Sequence, residues 1–234
     1  MTMKTIYLLC GLLCDEEVWA AQAGALARDY DVRVVSFTRQ DSLTAMAGHV
    51  LAGAPERFAL AGHSMGGRVA LEVYRQAPER VERLALLDTG YEAPQPDEAA
   101  RRAVLVDRAW AEGIDAIAAE WALPMLAPRH RFDAELVAEI LEMVGRMSPE
   151  IYVAQTRALL RRPDAADVLA RVDCPALVLC GRQDGWSPPE RHERMAALMA
   201  RPPILRLIDA CGHMSMMEQP EAVLGALRDW LVMP

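Results

Sequence analysis

The chain has 234 residues, 53% of them hydrophobic and 25% charged, with a formal net charge of -8 at pH 7. That composition describes one soluble globular domain rather than a disordered or fibrous chain, and the acidic balance argues against nucleic acid as a partner. Lys4 is the only lysine, so Schiff-base and pyridoxal-phosphate chemistry, and a phosphate-binding loop of the Gly-Lys-Ser/Thr type, have no residue to build them.

Residues 5–9 form a short, apolar, β-prone run ending at Cys10-Gly11, and residues 15–27 carry helical spacing with Val18, Trp19 and Leu26 as buried candidates. The apolar stretch 6–14 that follows Lys4 is short and lacks a small-x-small cleavage site, so it reads as strand and loop, not as a secretory leader. No run approaches the roughly 18 apolar residues of a membrane span, and no membrane partner is expected. Residues 32–37 read as a second strand, 42–52 as a helix capped by Asp41 or Ser42, 58–61 as a third strand and 65–76 as a helix. Pro78 breaks that pattern, and 84–88 is a further buried strand. This alternation predicts an α/β fold: a mostly parallel sheet with helices on both faces.

From residue 91 to about 170 the alternation stops, and four helical patterns follow at 97–112, 113–121, 133–147 and 148–161, punctuated by prolines. We read 91–170 as an all-helical cap inserted into a core made of 1–90 and 171–234. Alternation then resumes with a strand at 174–180, a helix at 188–200, a strand at 204–208 and a last helix at 220–232. The five cysteines, Cys10, Cys14, Cys174, Cys180 and Cys211, are odd in number and lack Cys-x-x-Cys spacing, which argues against a disulfide framework or a zinc site and for a reducing, cytoplasmic setting.

The chemistry gathers around Gly62-His63-Ser64-Met65-Gly66-Gly67, where a strand runs through one serine directly into a helix. Gly-x-Ser-x-Gly in that context is a nucleophile elbow, a tight turn that lifts the serine hydroxyl above the sheet's carboxyl edge. A serine hydroxyl needs a base, and the base needs an orienting acid. Among five histidines, His213 follows the last strand and lies at the same edge as Ser64, whereas His63 is expected to line the pocket and His49, His130 and His192 to sit on the surface. Asp184, in Gly181-Arg182-Gln183-Asp184-Gly185, also falls at that edge; Asp88, ending the strand 84–88, is the rival acid.

With these residues the sequence resembles the α/β-hydrolase fold superfamily, serine esterase-like members with a helical cap in particular, and the chain order Ser64, Asp184, His213 is that family's order. The resemblance is carried by Leu8-Leu9-Cys10-Gly11-Leu12, the elbow, Gly181 to Asp184, and Gly212-His213 with Glu218-Gln219-Pro220-Glu221. It implies an oxyanion hole made by the backbone N–H groups of Leu12 and Met65, and a cap that shapes the substrate cavity. Trp19, His63, Trp110, Trp121 and Trp186 are the candidate pocket residues. The chain departs from the family where Cys10-Gly11 replaces the usual His-Gly, where the N-terminal antiparallel hairpin is absent, and where 36–42 replaces a glycine-rich loop.

The expected function is hydrolysis of a small ester, thioester or lactone through an acyl-enzyme, with a small-molecule acyl substrate as partner and no metal or organic cofactor. A non-catalytic ligand-binding protein on the same fold, or a carbon-carbon bond hydrolase or lyase, are the alternatives. Nothing in the sequence selects an oligomeric state.

Overall fold

The computed structural model describes residues 3–234. Its centre is a six-stranded, all-parallel sheet built from β1 (Lys4–Leu9), β2 (Tyr30–Val35), β3 (Phe58–His63), β4 (Val81–Leu87), β5 (Ala176–Gly181) and β6 (Ile204–Ile208). Strand order is β2-β1-β3-β4-β5-β6. β3 and β5 are buried along their whole length, as strands covered on both faces must be, which is why they read as continuous apolar runs instead of alternating ones.

Helices α1 (Ala20–Leu26) and α11 (Pro220–Leu231) pack together on one face of the sheet, while α2 (Leu43–Gly53), α3 (Met65–Gln76) and α9 (Pro189–Leu198) cover the other. α2 is capped by Ser42, whose hydroxyl accepts the Ala45 N–H at 3.2 Å. The helix expected over 15–27 opens as a 3-10 turn, Glu16–Trp19, because Asp15 accepts the Glu17 N–H at 3.0 Å, and becomes α-helical only from Ala20. The strand expected from 174 begins at Ala176, after Pro175, which has no N–H for a ladder.

Between β4 and β5 the chain is helical: α4 (Glu98–Glu112), α5 (Asp115–Ala122), α6 (Ala134–Gly145), α7 (Pro149–Leu160) and the single turn α8 (Ala166–Leu169), which sequence patterning did not separate. α4 packs on α5 and α7, and α5 packs on α6. α4 stops at Gly113, whose φ of 92° suits a residue without a Cβ. No helix among the described residues is long and apolar enough to cross a membrane.

From β1 the chain passes to the sheet edge at β2 and then returns across β1 to β3, so the loops leaving β1 and β3 part in opposite directions. Such a reversal opens a crevice at the carboxyl ends of the strands. The four non-glycine residues with positive φ among those described all lie at this edge: Leu13 beyond β1 (55°), Ser64 after β3 (54°), Asp88 after β4 (47°) and Ala210 beyond β6 (51°). Left-handed backbone is disfavoured for residues with a Cβ, and its concentration at one rim marks where packing holds the chain in imposed conformations.

Candidate active site

Ser64 sits at φ 54° and ψ -114°, between the last residue of β3 and the first of α3. Its N–H donates to Leu87 O at 2.9 Å, and its carbonyl accepts the Thr89 hydroxyl at 2.6 Å and the Gly67 N–H at 3.1 Å. The turn closes this tightly only with glycines on both sides. A Cβ on Gly62 would stand 2.3 Å from Gly66 O, and one on Gly66 would stand 2.3 Å from Leu9 O, so helix, elbow strand and β1 meet backbone to backbone.

The sheet edge brings Asp184 and His213 to this serine. His213 Nε2 is 2.9 Å from Ser64 Oγ and His213 Nδ1 is 2.7 Å from Asp184 Oδ2. The other carboxylate oxygen of Asp184 accepts the N–H groups of Trp186 and Ser187, each at 2.8 Å. Burial acts to raise the Asp184 carboxyl, but the facing imidazole and those hydrogen bonds outweigh it and hold it below its ordinary value. For His213 burial acts to lower the imidazole, and the Asp184 carboxylate more than offsets it, so the ring protonates above its usual pH. The carboxylate fixes Nδ1–H as the donor to itself and leaves Nε2 free to accept the serine proton.

Asp88, the rival acid, makes its hydrogen bonds to groups other than His213. It is fully buried, accepts the Gly181 N–H at 2.9 Å through Oδ1, and meets the Ser215 hydroxyl through Oδ2. Burial first, then the neighbouring Asp184 charge, push its carboxyl well above the ordinary range.

Met65 is the first residue of α3, and its N–H has no intrahelical partner. Neither it nor the Leu12 N–H finds a hydrogen-bond acceptor among the described residues, whereas the adjoining Leu13 N–H donates to Gln155 Oε1 at 2.9 Å. Gln155 is buried on α7, and its amide Nε2–H donates to Phe37 O at 2.7 Å. One side chain thus ties the loop after β1 to the segment after β2. Arg146 adds a second tie, pairing with both oxygens of Asp15 at 2.7 and 3.0 Å. Cys10, standing where the family has histidine, gives its S–H to Asp15 O at 3.1 Å and holds the same loop from below.

The His213 loop is held from two sides as well. Its N–H donates to Met125 O at 2.7 Å, and its carbonyl accepts His63 Nε2–H at 2.9 Å. Burial and the neighbouring His213 push His63 down to about 3, so this ring is a neutral prop and not a base. Glu218, buried on the turn α10 (Ser215–Glu218), accepts the N–H groups of Gly212 (2.9 Å) and Met214 (3.2 Å) on one oxygen. On the other it accepts Ala127 N–H and His130 Nδ1–H, both at 2.8 Å. In the sequence Glu218 stands out only as part of the motif Glu218-Gln219-Pro220-Glu221, and Gln155 belongs to no motif; both act across long sequence separations that local patterning does not register.

A cavity of about 470 Å³ opens beside Ser64 and His213, and Trp121, Tyr152 and Trp186 are among its walls. A narrow recess of about 40 Å³ continues from Ser64 toward Leu12, His63 and Met125. Trp186 lies 6.0 Å from the His213 ring centre and 6.3 Å from Trp121. Two of the expected pocket residues are elsewhere. Trp19 is wholly buried beneath the loop after β1, giving its indole N–H to Leu9 O at 3.2 Å, and Trp110 is 61% exposed on α4. His192 is not a surface residue either: it is fully buried and accepts the Thr89 N–H at 3.0 Å, supporting the turn that holds the Ser64 carbonyl.

Known proteins resemble this chain over nearly its whole length. An esterase from Thermogutta terrifontis, solved with malate bound, is 31% identical, covers 98% of this chain and 90% of its own, and superposes with a TM-score of 0.87. The enol-lactonase from Burkholderia xenovorans LB400 superposes with a TM-score of 0.89 over 100% of this chain and 93% of its own; at 22% identity that likeness is one of fold. A protein of Rhizobium rhizogenes provisionally called carbamate hydrolase RutD is 29% identical across 93% of this chain and 88% of its own. The family model described as alpha/beta hydrolase family matches residues 6–226, and the chain belongs to that family.

Proposed function

We propose that this chain is a serine hydrolase that cleaves a small ester, thioester or lactone through an acyl-enzyme on Ser64. The observation that carries the reading is the continuous hydrogen-bonded path from Ser64 Oγ through His213 to Asp184, at 2.9 and 2.7 Å, on a strained elbow at the sheet's carboxyl edge. Ser64 Oγ attacks the acyl carbon while His213 Nε2 takes its proton. The negative oxygen that forms is held by the free N–H groups of Leu12 and Met65; one such donor is worth on the order of 100 to 1,000-fold in rate. His213 then protonates the departing alcohol, or the thiol of a thioester, and a water activated by the same nitrogen releases the acid. The helical segment 91–170 serves as the cap, its Trp121 and Tyr152 helping to exclude water from the cavity.

Labelling with a fluorophosphonate probe tests this reading. Ser64 is the expected site of modification, and Ser64→Ala is expected to lose both labelling and hydrolysis of 4-nitrophenyl esters. Hydrolysis that survives in Ser64→Ala would remove the nucleophile from the mechanism. Tight binding of esters with no turnover would favour a receptor on the same fold, and activity confined to diketones would favour carbon-carbon cleavage.

A further inference from the structure

The wall of the main cavity carries a charge balance opposite to that of the whole chain. On a protein of net charge -8, five arginines, Arg68, Arg101, Arg102, Arg162 and Arg191, face two acids, Glu92 and Glu98. Arg101 is neutralised at the exposed rim by Asp97 at 3.0 Å. The other four guanidinium groups have only the two glutamates to share. Glu98 holds Arg162 with both oxygens, at 2.8 and 2.7 Å, and also accepts Arg102 at 2.9 Å. Glu92 lies 3.3 Å from Arg191 and 3.7 Å from Arg194, which stands outside the cavity wall.

Arg68 is the group left over. It forms no ion pair among the described residues, and its one hydrogen bond runs from Nη1 to the backbone carbonyl of Glu92 at 2.9 Å. A shielded guanidinium without a counter-charge is costly, and the cost falls away when an anion takes the open side of the fork. Burial first, and then the charges of Arg162 and Arg191, outweigh the opposing charges of Glu92 and Glu98 and push Arg68 down to about 9, which leaves it charged at neutral pH. Arg68 also stands one helical turn beyond Ser64, the N-cap of α3, so the helix holds the two residues on one face, and both line the same cavity. A charge on the acyl half of a substrate remains in the cavity through acylation and deacylation, and a fork on the nucleophile's own helix serves both steps.

We propose that the substrate's acyl group ends in a carboxylate, received by Arg68 while the scissile ester lies at Ser64. This rests on the hydrolase reading above and narrows its substrate class to monoesters of dicarboxylic acids.

The test compares esters of equal acyl length with and without the distal charge: mono-4-nitrophenyl adipate against 4-nitrophenyl hexanoate, and mono-4-nitrophenyl glutarate against 4-nitrophenyl pentanoate. The expected result is a kcat/KM higher for the charged member of at least one pair by about 10- to 100-fold, the range of a charged hydrogen-bonded contact, falling as NaCl is raised. In Arg68→Gln the ratio is expected to collapse toward one, with Arg68→Lys retaining part of it. A wild-type ratio near one in both pairs, or a ratio unchanged in Arg68→Gln, overturns the proposal. If Arg68→Gln does not fold, the wild-type ratio and its salt dependence still decide. If no ester is turned over, the hydrolase reading fails separately, and calorimetry on Ser64→Ala with monomethyl adipate against methyl hexanoate decides the anion preference: tighter binding of the monoester upholds it, equal binding refutes it.

Discussion

Glu218→Gln is a change of one atom whose cost can be worked from the contacts. Glu218 accepts four hydrogen bonds, two per oxygen, from Gly212 and Met214 on one side and from Ala127 and His130 on the other. Arg129 Nε–H donates to His130 Nε2 at 2.9 Å, so the proton on His130 sits on Nδ1 and points at the carboxylate. A glutamine can keep one oxygen. Placed toward Gly212 and Met214 it preserves the histidine loop, but its amide N–H₂ then faces two donors, Ala127 N–H and His130 Nδ1–H. Each buried donor left without an acceptor costs about 1–3 kcal/mol, and His130 recovers part of this by swinging toward solvent, giving roughly 2–4 kcal/mol in total. For a chain of this size that is a fall in Tm of roughly 5–15 °C. Calorimetric melting and urea denaturation at neutral pH read the loss. Activity measured where both proteins are folded is expected to fall less than tenfold, because the bonds that position His213 survive. In Glu218→Ala those bonds are lost too, and kcat is expected to fall further. A Glu218→Gln protein within about 0.5 kcal/mol of wild type, the scatter of ordinary surface changes, would show that the four contacts do not hold this loop.

Asp184→Asn is expected to lower kcat by about 10⁴-fold, the size of the effect when the orienting acid of such a triad is replaced by an amide. His213 works as a base only when neutral and its protonation is raised by Asp184, so the acidic limb of the wild-type pH–rate profile should lie above the ordinary imidazole value and move down in the residual activity of Asp184→Asn. An unmoved limb would contradict the assignment. Asp88→Asn should keep kcat within about tenfold of wild type, since burial and Asp184 already favour its neutral acid form and the amide can still accept the Gly181 N–H. A loss equal to that of Asp184→Asn would make Asp88 the orienting acid instead. Gly62→Ala places a Cβ 2.3 Å from a backbone oxygen that cannot move without opening the elbow, so a loss of about 3 kcal/mol, the upper end of the overpacking range, is expected in urea denaturation, and a near-neutral effect would refute the close packing described.

What could be read from the residues in order was the part set by local pattern. Apolar runs such as Leu84 to Leu87 announced buried strands, the elbow announced a strand-to-helix turn, and Asp184 and His213 could be located because both follow strands and so share one edge. Side chains whose purpose lies far along the chain were not legible. Gln155 reaches a backbone N–H 142 positions away and Glu218 one 91 positions away, and neither separation leaves a periodic trace. The same holds for His192, which looks like a helix-surface residue until the fold brings Thr89 over it. Trp19 is suggested for the pocket by its place beside the loop after β1 and Trp110 by its place in the inserted helices, but neither position fixes which way the ring faces: the Trp19 indole N–H turns inward to Leu9 O, and Trp110 turns outward to solvent. Arg68 shows a further limit: its importance lies in the carboxylate it lacks, and a missing partner has no signature in a string of residues.

The contacts of the helical insertion bear on how such proteins are re-engineered. Exchanging this segment between relatives is an obvious route to new specificity, since it supplies much of the cavity wall. Here the same segment braces both sides of the candidate site: Gln155 and Arg146 hold the loop after β1, while Met125 O, directly, and the Ala127 N–H, through Glu218, hold the loop that carries His213. A transplanted segment that changes the cavity but omits these four anchor points would be expected to bind a new substrate and turn it over poorly. Grafts that carry the anchors across, with only the residues lining the cavity exchanged, separate selectivity from the upkeep of the machinery beneath it.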